Sequence, residues 1–410
     1  MAAPARVVIV GSGMAGATAA GALREQGFDG EVVLFGQERH LPYELPALSK
    51  DVLLGNADEP VRVHDEGFYA DKDIDLRTGT AVEEIDAAER TVRDSEGREQ
   101  PYDRLLLATG SRPRSLSVPG SELAGLHKLR TIDDSLALRG EFREGRRVVI
   151  AGAGWIGCEV AAAARSHGAS VTVVDPVPLP LLGVLGESMA EVFRRLHVEH
   201  DVNWRLGVGV AGFGGSDAVE SVRLADGTEL PADLVVLGVG AAPRLELAER
   251  AGLALTREVP GGGVAVDATL RTSVPEIFAI GDIAAPEHPV HGRIRVEHWA
   301  NALDQGKHVA ANLLGEEQPW RRSPYFFTDQ YDLGMEYRGL ADPRSDELVV
   351  RGDPSAREFI AFWLRDGRVQ AAMNVNLWDD GEALDALVGG QVQVEAAQLR
   401  SADDLGALVG

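Results

Sequence analysis

One local pattern occurs twice in this chain, and it constrains the fold more than anything else. Arg6–Val10 is a short apolar, β-branched run that reads as a buried strand. It meets Gly11-Ser12-Gly13-Met14-Ala15-Gly16, then the Ala-rich stretch Ala17–Glu25, expected to be helical, and a second apolar run at Glu31–Phe35. The same order returns later as Arg147–Ala151, Gly152-Ala153-Gly154-Trp155-Ile156-Gly157, an expected helix over Glu159–Ser166, and Ser170–Asp175. Each copy is a βαβ unit with GxGxxG at its first turn. Glycines there let the backbone approach a pyrophosphate, and the helix N-terminus offers free N–H groups and a positive dipole end. Two such units predict an α/β protein with two Rossmann-like dinucleotide-binding domains. A Gly turn in an α/β domain without ligand explains one copy as well as a binding site does; it explains two copies much less well.

Each turn also has an acidic residue near the end of the following strand. At the first it is Glu38, beside Gln37; at the second it is Asp175. A carboxylate pairs with the hydroxyls of an adenosine ribose and repels a 2′-phosphate. The residues after Asp175, Pro176-Val177-Pro178-Leu179, include no Arg or Lys to hold such a phosphate, so the second site is expected to prefer NADH to NADPH.

Between and after the two units lie Arg104–Leu107, closing in Ala108-Thr109-Gly110, its echo Leu234–Leu237 before Gly238-Val239-Gly240, and Ile277–Ile280, which delivers Asp282 to a loop. A helix is expected at about Ala300–Leu314. From Pro324 onward, β-rich runs at Glu347–Arg351, Phe359–Arg365 and Val369–Val375 alternate with turns expected at Arg351-Gly352-Asp353 and Asp366-Gly367, and an Ala-rich helical stretch closes the chain. This reads as a small α+β domain.

Composition removes several function classes. The chain has 410 residues, enough for two to four domains, and a net charge of −24, which repels nucleic acid and anionic membranes at long range. No apolar run approaches the ~18 residues of a spanning helix. The N-terminus runs straight into the first strand with no room for a signal peptide, so a soluble, cytoplasmic protein is expected. A single cysteine, Cys158, excludes a disulfide framework, a CxxC zinc site and an internal redox dithiol, and no metal site is expected.

The order of motifs resembles the FAD-dependent NADH:ferredoxin reductases of bacterial oxygenases and haem-thiolate monooxygenases, the putidaredoxin reductase and biphenyl-type dioxygenase reductase group. Beyond the Gly turns, the resemblance rests on Leu41-Pro42-Tyr43-Glu44-Leu45-Pro46-Ala47-Leu48-Ser49-Lys50, Leu106–Arg114, Leu129-Arg130-Thr131, Gly154–Glu159, Gly281-Asp282, Val296–Ala302 and Phe326–Tyr331. It covers nearly the whole chain. It implies a glutathione-reductase-like arrangement: a discontinuous FAD domain (1–113 and 246–324), an NAD domain (114–245) and a C-terminal α+β domain (325–410).

The resemblance also implies roles. FAD would take the first turn, with Gly11, Gly13, Ala15 and Gly16 at its diphosphate, Glu38 on its ribose, Val82 near the adenine, Arg130 near the phosphates, Asp282 at the ribityl chain and Trp299 beside the pyrimidine end. NADH would take Gly152, Gly154, Gly157 and Asp175. Lys50 would stand near the reactive flavin nitrogen, where a cation favours the reduced ring, with Glu159 as its ionic partner. Glu159 serves equally well as a first-turn carboxylate acting only on its helix dipole, and Trp299 as plain core. Leu45, Ala47, Phe327 and Leu179 depart from residues common in the group. Phe327 stands where Trp is common and leaves less area for stacking. Leu179 replaces a common Arg, which weakens the grip on NADH.

Relatives of the fold that reduce disulfides, persulfides or peroxides need a cysteine near the flavin. Gln37–Lys50 contains none, so electrons are expected to leave directly to an external acceptor, a [2Fe–2S] or similar ferredoxin. An apoptosis-inducing-factor-like redox scaffold, or a reductase of another acceptor such as rubredoxin, remains the alternative. Because the net charge opposes an acidic partner, a local basic patch is expected to dock it. Arg293 and Arg295 are the candidates, with Trp320-Arg321-Arg322 as reserve, while Lys307 and His308 read as ordinary surface groups.

Overall fold

The computed structural model describes residues 4–409. By internal contacts the chain divides into two compact units. One runs to Leu45 and takes in Pro60–Arg112 and Ala242–Pro324; the other comprises Pro46–Glu59, Pro113–Ala241 and the chain from Tyr325 onward.

The first unit is organised by a five-stranded parallel sheet in the order Ile277–Ala279, Arg104–Leu107, Arg6–Val10, Glu31–Phe35, Ile74–Arg77. Strands buried on both faces read as unbroken apolar runs rather than alternations, and Val7, Val8, Ile9, Leu105 and Leu106 are fully buried. The second unit repeats the plan with Asn203–Leu206, Ser170–Asp175, Arg147–Ala151, Leu234–Leu237, Leu126–His127, again all parallel.

The duplication extends beyond the βαβ units. Each sheet carries a three-stranded antiparallel meander, Val82–Asp86/Thr91–Asp94/Glu99–Pro101 in the first unit and Val210–Gly214/Ser221–Leu224/Glu229–Pro231 in the second. Both have an irregularity at the same place, between Val82 and Glu84 and between Val210 and Gly212. These strands are short and half exposed, which left them without a clear period in the sequence.

Two boundaries differ from expectation for one reason. The helices begin at Met14 and Trp155, directly after Gly13 and Gly154, and run to Glu25 and Ser166. Gly16 and Gly157 therefore sit inside the first turn instead of before it. The later helix likewise starts at Trp299 and ends at Leu313.

The C-terminal segment forms a five-stranded antiparallel sheet, ordered Tyr325–Gln330, Leu333–Gly339, Arg368–Val375, Glu358–Arg365, Glu347–Asp353. The expected turn at Arg351-Gly352-Asp353 is strand: Gly352 pairs with Phe359, and the reversal falls at Pro354–Arg357. A side chain at Gly352 would collide with the Glu358 carbonyl, which accounts for the glycine without a turn. Along Glu358–Arg365, Phe359, Ala361 and Trp363 pack with Cys158, Met189 and Phe193. Ile360, Phe362 and Leu364 face Leu384, Leu387 and Leu399 of the terminal helices. The period-two alternation thus serves two cores, and truncating Phe193, which is fully buried, would cost about 3–5 kcal/mol. No helix among the described residues is long and apolar enough to cross a membrane.

Candidate functional site

The glycines of the two turns divide into those the chain itself requires and those it does not. Gly11 has φ +111°, and a β-carbon there would lie 2.2 Å from the Ala108 carbonyl oxygen. One on Gly16 would lie 1.9 Å from the Gly11 carbonyl oxygen. Gly152 (φ +112°) and Gly157 repeat this against Gly238 and Gly152, at 2.2 and 2.0 Å. The middle glycines are different. Gly13 and Gly154 have φ −71° and −81°, which any residue adopts, and a β-carbon on either would meet no protein atom within 4 Å. Neither helix has a side-chain cap or an acidic residue in its first turn, so the first-turn N–H groups face that open space. The cradle fits an anionic group approaching the backbone closely.

The acids beyond the turns are held differently. Glu38 is exposed and accepts a hydrogen bond from the Tyr43 hydroxyl at 2.6 Å. Asp175 accepts from the Ala153 N–H at 2.7 Å and from the Val177 N–H at 2.9 Å. Its carboxylate therefore braces the second Gly turn while keeping one lone pair per oxygen for a hydroxyl. In the first turn Ser12 stands where Ala153 stands in the second, and its side chain closes over Gly36, where a β-carbon would lie 2.1 Å from Ser12 Oγ.

In the first unit the Gly281-Asp282 turn is fixed on three sides. The Gly281 N–H donates to Gln305 Oε1 at 2.8 Å, Ser111 Oγ donates to the Asp282 carboxylate at 2.8 Å, and Arg295 donates to the Asp282 carbonyl at 2.9 Å. Val82 is buried at the start of the meander, and Trp299 is half-buried at the first residue of its helix. In the second unit Arg130 immediately precedes the helix Ile132–Glu141, its N–H bonded to Asp134.

Lys50 and Glu159 come together in the second unit. Glu159, with 3% of its side chain exposed, accepts from Lys50 Nζ at 2.8 Å, from Thr328 Oγ1 at 2.6 Å and from Ser49 Oγ at 2.5 Å. Three donors answer the desolvation of a buried carboxylate, which would otherwise be prohibitive. Glu159 lies beyond the first turn of its helix, so these donors hold it rather than the helix dipole. The Lys50 ammonium lies over the Phe327 ring, 5.3 Å from its centroid. Asp329, on the same strand, has its carboxyl raised by burial, an effect opposed by Lys50. Cys158 is fully buried, and burial pushes its thiol up, so the unreactive neutral form persists.

The expected basic patch does not form. Arg295 has only 7% of its side chain exposed, pairs with Glu297 and donates to the Pro260 and Asp282 carbonyls. Arg293 donates to the Val266 and Ala285 carbonyls and faces Glu287 and Glu258. Both guanidiniums lock loops of their own unit, and local carboxylates neutralise them. Of the reserve tract, Trp320 is buried and Arg322 is paired with Asp304, while Arg321 is exposed. Lys307 is exposed, as expected of a surface group, and His308 bonds to the Gln318 carbonyl.

Ser49, Ser111, Gln305 and Thr328 were not singled out from the sequence. Three lie inside motifs quoted above, but a hydroxyl carries no periodic or charge signal, and its partners are up to 171 residues away.

Residues 5–306 match the pyridine nucleotide-disulphide oxidoreductase family, and residues 325–409 match the reductase C-terminal domain. The chain belongs to the pyridine nucleotide-disulphide oxidoreductase family. Within that family it is 40% identical over 399 residues to the ferredoxin–NAD(+) reductase component of the anthranilate 1,2-dioxygenase system of Burkholderia cepacia, with 96% of each chain covered. Its fold is similar to that of putidaredoxin reductase in a covalent complex with putidaredoxin (TM-score 0.93, 35% identity, 98% of each chain). A ferredoxin reductase from Rhodopseudomonas palustris is similar too, with TM-score 0.94 and 35% identity over 99% of this chain and 100% of that one. As a member of this family, the chain departs from the disulphide chemistry in the family's name, because its one cysteine is buried and protonated.

Proposed function

We propose that this protein is an FAD-dependent NADH:ferredoxin reductase that passes electrons from NADH through FAD to a small iron–sulfur ferredoxin serving an oxygenase or haem monooxygenase. The observation that carries the reading is the buried Lys50–Glu159 pair in a chain whose relatives are ferredoxin reductases along nearly their whole length. The absence of an accessible thiol supports it, since electrons must then leave by direct transfer.

FAD supplies the conversion between a two-electron donor and one-electron acceptors, because nicotinamide gives electrons in pairs and an iron–sulfur cluster takes them singly. The residues around it bind and orient. The turn Gly11–Gly16 receives the FAD diphosphate, Gly13 leaving room for it and the open helix N-terminus supplying donors. Glu38 takes ribose hydroxyls, Asp282 the ribityl chain, Val82 the adenine edge, Arg130 phosphate oxygens, and Trp299 the pyrimidine end. Ser111 orients Asp282. The turn Gly152–Gly157 and Asp175 receive NADH in the same manner. Lys50 would hold a positive charge beside the ring, and Glu159 would fix where that charge stands. We place the protein in the cytoplasm, where NADH is regenerated.

The test is purification, a visible flavin spectrum, and NADH-dependent reduction of a [2Fe–2S] ferredoxin. Electron transfer in catalytic turnover supports the reading. A flavoprotein that binds NADH in a stable complex and passes nothing on would support the scaffold alternative.

A further inference from the structure

A directed chain of hydrogen bonds runs from the core of the second unit to the Lys50–Glu159 pair. His197, on the helix Leu182–Glu199, is fully buried between the rings of Trp204 and Tyr331, with centroids 5.5 and 5.3 Å away. Its Nε2 lies 2.8 Å from Gln330 Oε1, an atom that only accepts, so Nε2 carries the proton and donates. Gln330 Nε2 then donates to Thr328 Oγ1 at 3.1 Å, and Thr328 Oγ1 donates its one proton to Glu159 Oε1 at 2.6 Å. Thr328 and Gln330 point the same way because they are two residues apart on the strand Tyr325–Gln330. Every proton in the chain points toward the carboxylate.

This polarity makes Oε1 an acceptor. Thr328 has spent its proton and already receives one, so a protonated Oε1 would face two donors and no acceptor. His197 Nδ1 has no partner among the described residues, which suits the neutral ring. A positive ring would bury an unanswered N–H there. The arrangement therefore holds Glu159 in one rotamer with Oε1 accepting, and with it one position for the Lys50 ammonium.

We propose that Thr328 is a positioning residue for the reaction at Lys50, and that Gln330 and His197 hold its hydroxyl in the donating orientation. The inference rests on the reading of Lys50 and Glu159 given above. The charged and titratable groups facing Glu159 are Lys50 from the segment Pro46–Glu59, Asp329 from the strand of Thr328, and Cys158 beside it on its own helix.

The decisive variant is Thr328→Val, which keeps the shape and removes the donor, with Thr328→Ser as the conservative rescue. Stopped-flow bleaching of the flavin by NADH in the holoprotein should slow about tenfold or more in T328V and recover to within about twofold in T328S. In a Lys50→Ala background T328V should change the rate by less than about twofold, because the group it positions is gone. An independent readout needs no turnover. Infrared difference spectra of the holoprotein, referenced to Glu159→Gln, should show the Glu159 carboxyl band displaced in T328V relative to wild type and restored in T328S. If T328V does not fold, Gln330→Leu applies the same test without touching Thr328. Loss of thermal stability with unchanged bleaching and an unchanged Glu159 carboxyl band would overturn the proposal, as would a T328S as impaired as T328V. A wild type that NADH does not reduce would instead overturn the reading of the function, and the infrared band would still decide the role of Thr328.

Discussion

Lys50 and Glu159 lie 109 residues apart in sequence and 2.8 Å apart in space, and both are largely withdrawn from water. Removing one partner leaves the other as an uncompensated buried charge. Lys50→Ala should therefore slow NADH-dependent flavin reduction by about 10²-fold, in line with losing one electrostatic group in a water-poor site. Glu159→Gln should cost less, since its amide oxygen still accepts. Anaerobic stopped-flow at the flavin band checks both, and equal rates in wild type and K50A would remove Lys50 from the reaction.

The glycines predict opposite outcomes at adjacent positions. Gly13→Ala should leave the apoprotein within about 1 kcal/mol of wild type, because the new methyl meets nothing, while the FAD content of the purified protein falls. Gly11→Ala should cost about 1–3 kcal/mol or more through its positive φ and its collision with Ala108. Gly154→Ala should raise the KM for NADH with FAD content unchanged. Urea unfolding, flavin spectra and steady-state kinetics separate the three.

Asp175 has a structural duty as well as an expected binding duty. Asp175→Ala should raise the KM for NADH and lower the melting temperature together, since the Ala153 and Val177 N–H groups lose their acceptor. Combined with Leu179→Arg it should move the NADH/NADPH ratio of kcat/KM toward NADPH by about tenfold or more. A wild type that prefers NADPH would contradict the assignment.

The two acids also show how far the sequence was legible. The strands of both βαβ units, both Gly turns and three of the five C-terminal strands follow from apolar runs and glycine spacing, which are local signals. The hydroxyl donors to Glu159, Ser49 and Thr328, and the locking of Arg293 and Arg295 were not readable, because they depend on which side chains meet across long separations. The arginines looked like a docking patch from their charge and from their place just before the segment expected beside the flavin. Their burial against Pro260, Val266, Ala285 and neighbouring acids is a tertiary fact with no local signature. Arg295→Glu should accordingly lower the melting temperature, rather than weaken ferredoxin binding selectively.

Burial pushes His197 down to about 4 from an ordinary 6.5. The folded protein resists charging this ring while the unfolded chain accepts a proton freely. The contribution to stability is thus whole above about pH 6.5 and is lost progressively as the pH falls toward 4, amounting to a few kcal/mol. His197→Phe removes that dependence. Urea midpoints of wild type and variant should converge between pH 7 and 4.5, and parallel curves would show that the ring does not titrate as its burial requires.

The account as a whole stands on direct transfer from NADH through bound flavin to an iron–sulfur protein. Its most direct test is anaerobic mixing of the purified flavoprotein with limiting NADH and excess oxidised [2Fe–2S] ferredoxin, followed at the cluster absorbance. The expected result is two ferredoxins reduced per NADH, over many turnovers, with no dependence on added thiol. Flavin reduction that stalls in a long-lived NAD complex, with the ferredoxin left oxidised, would contradict it.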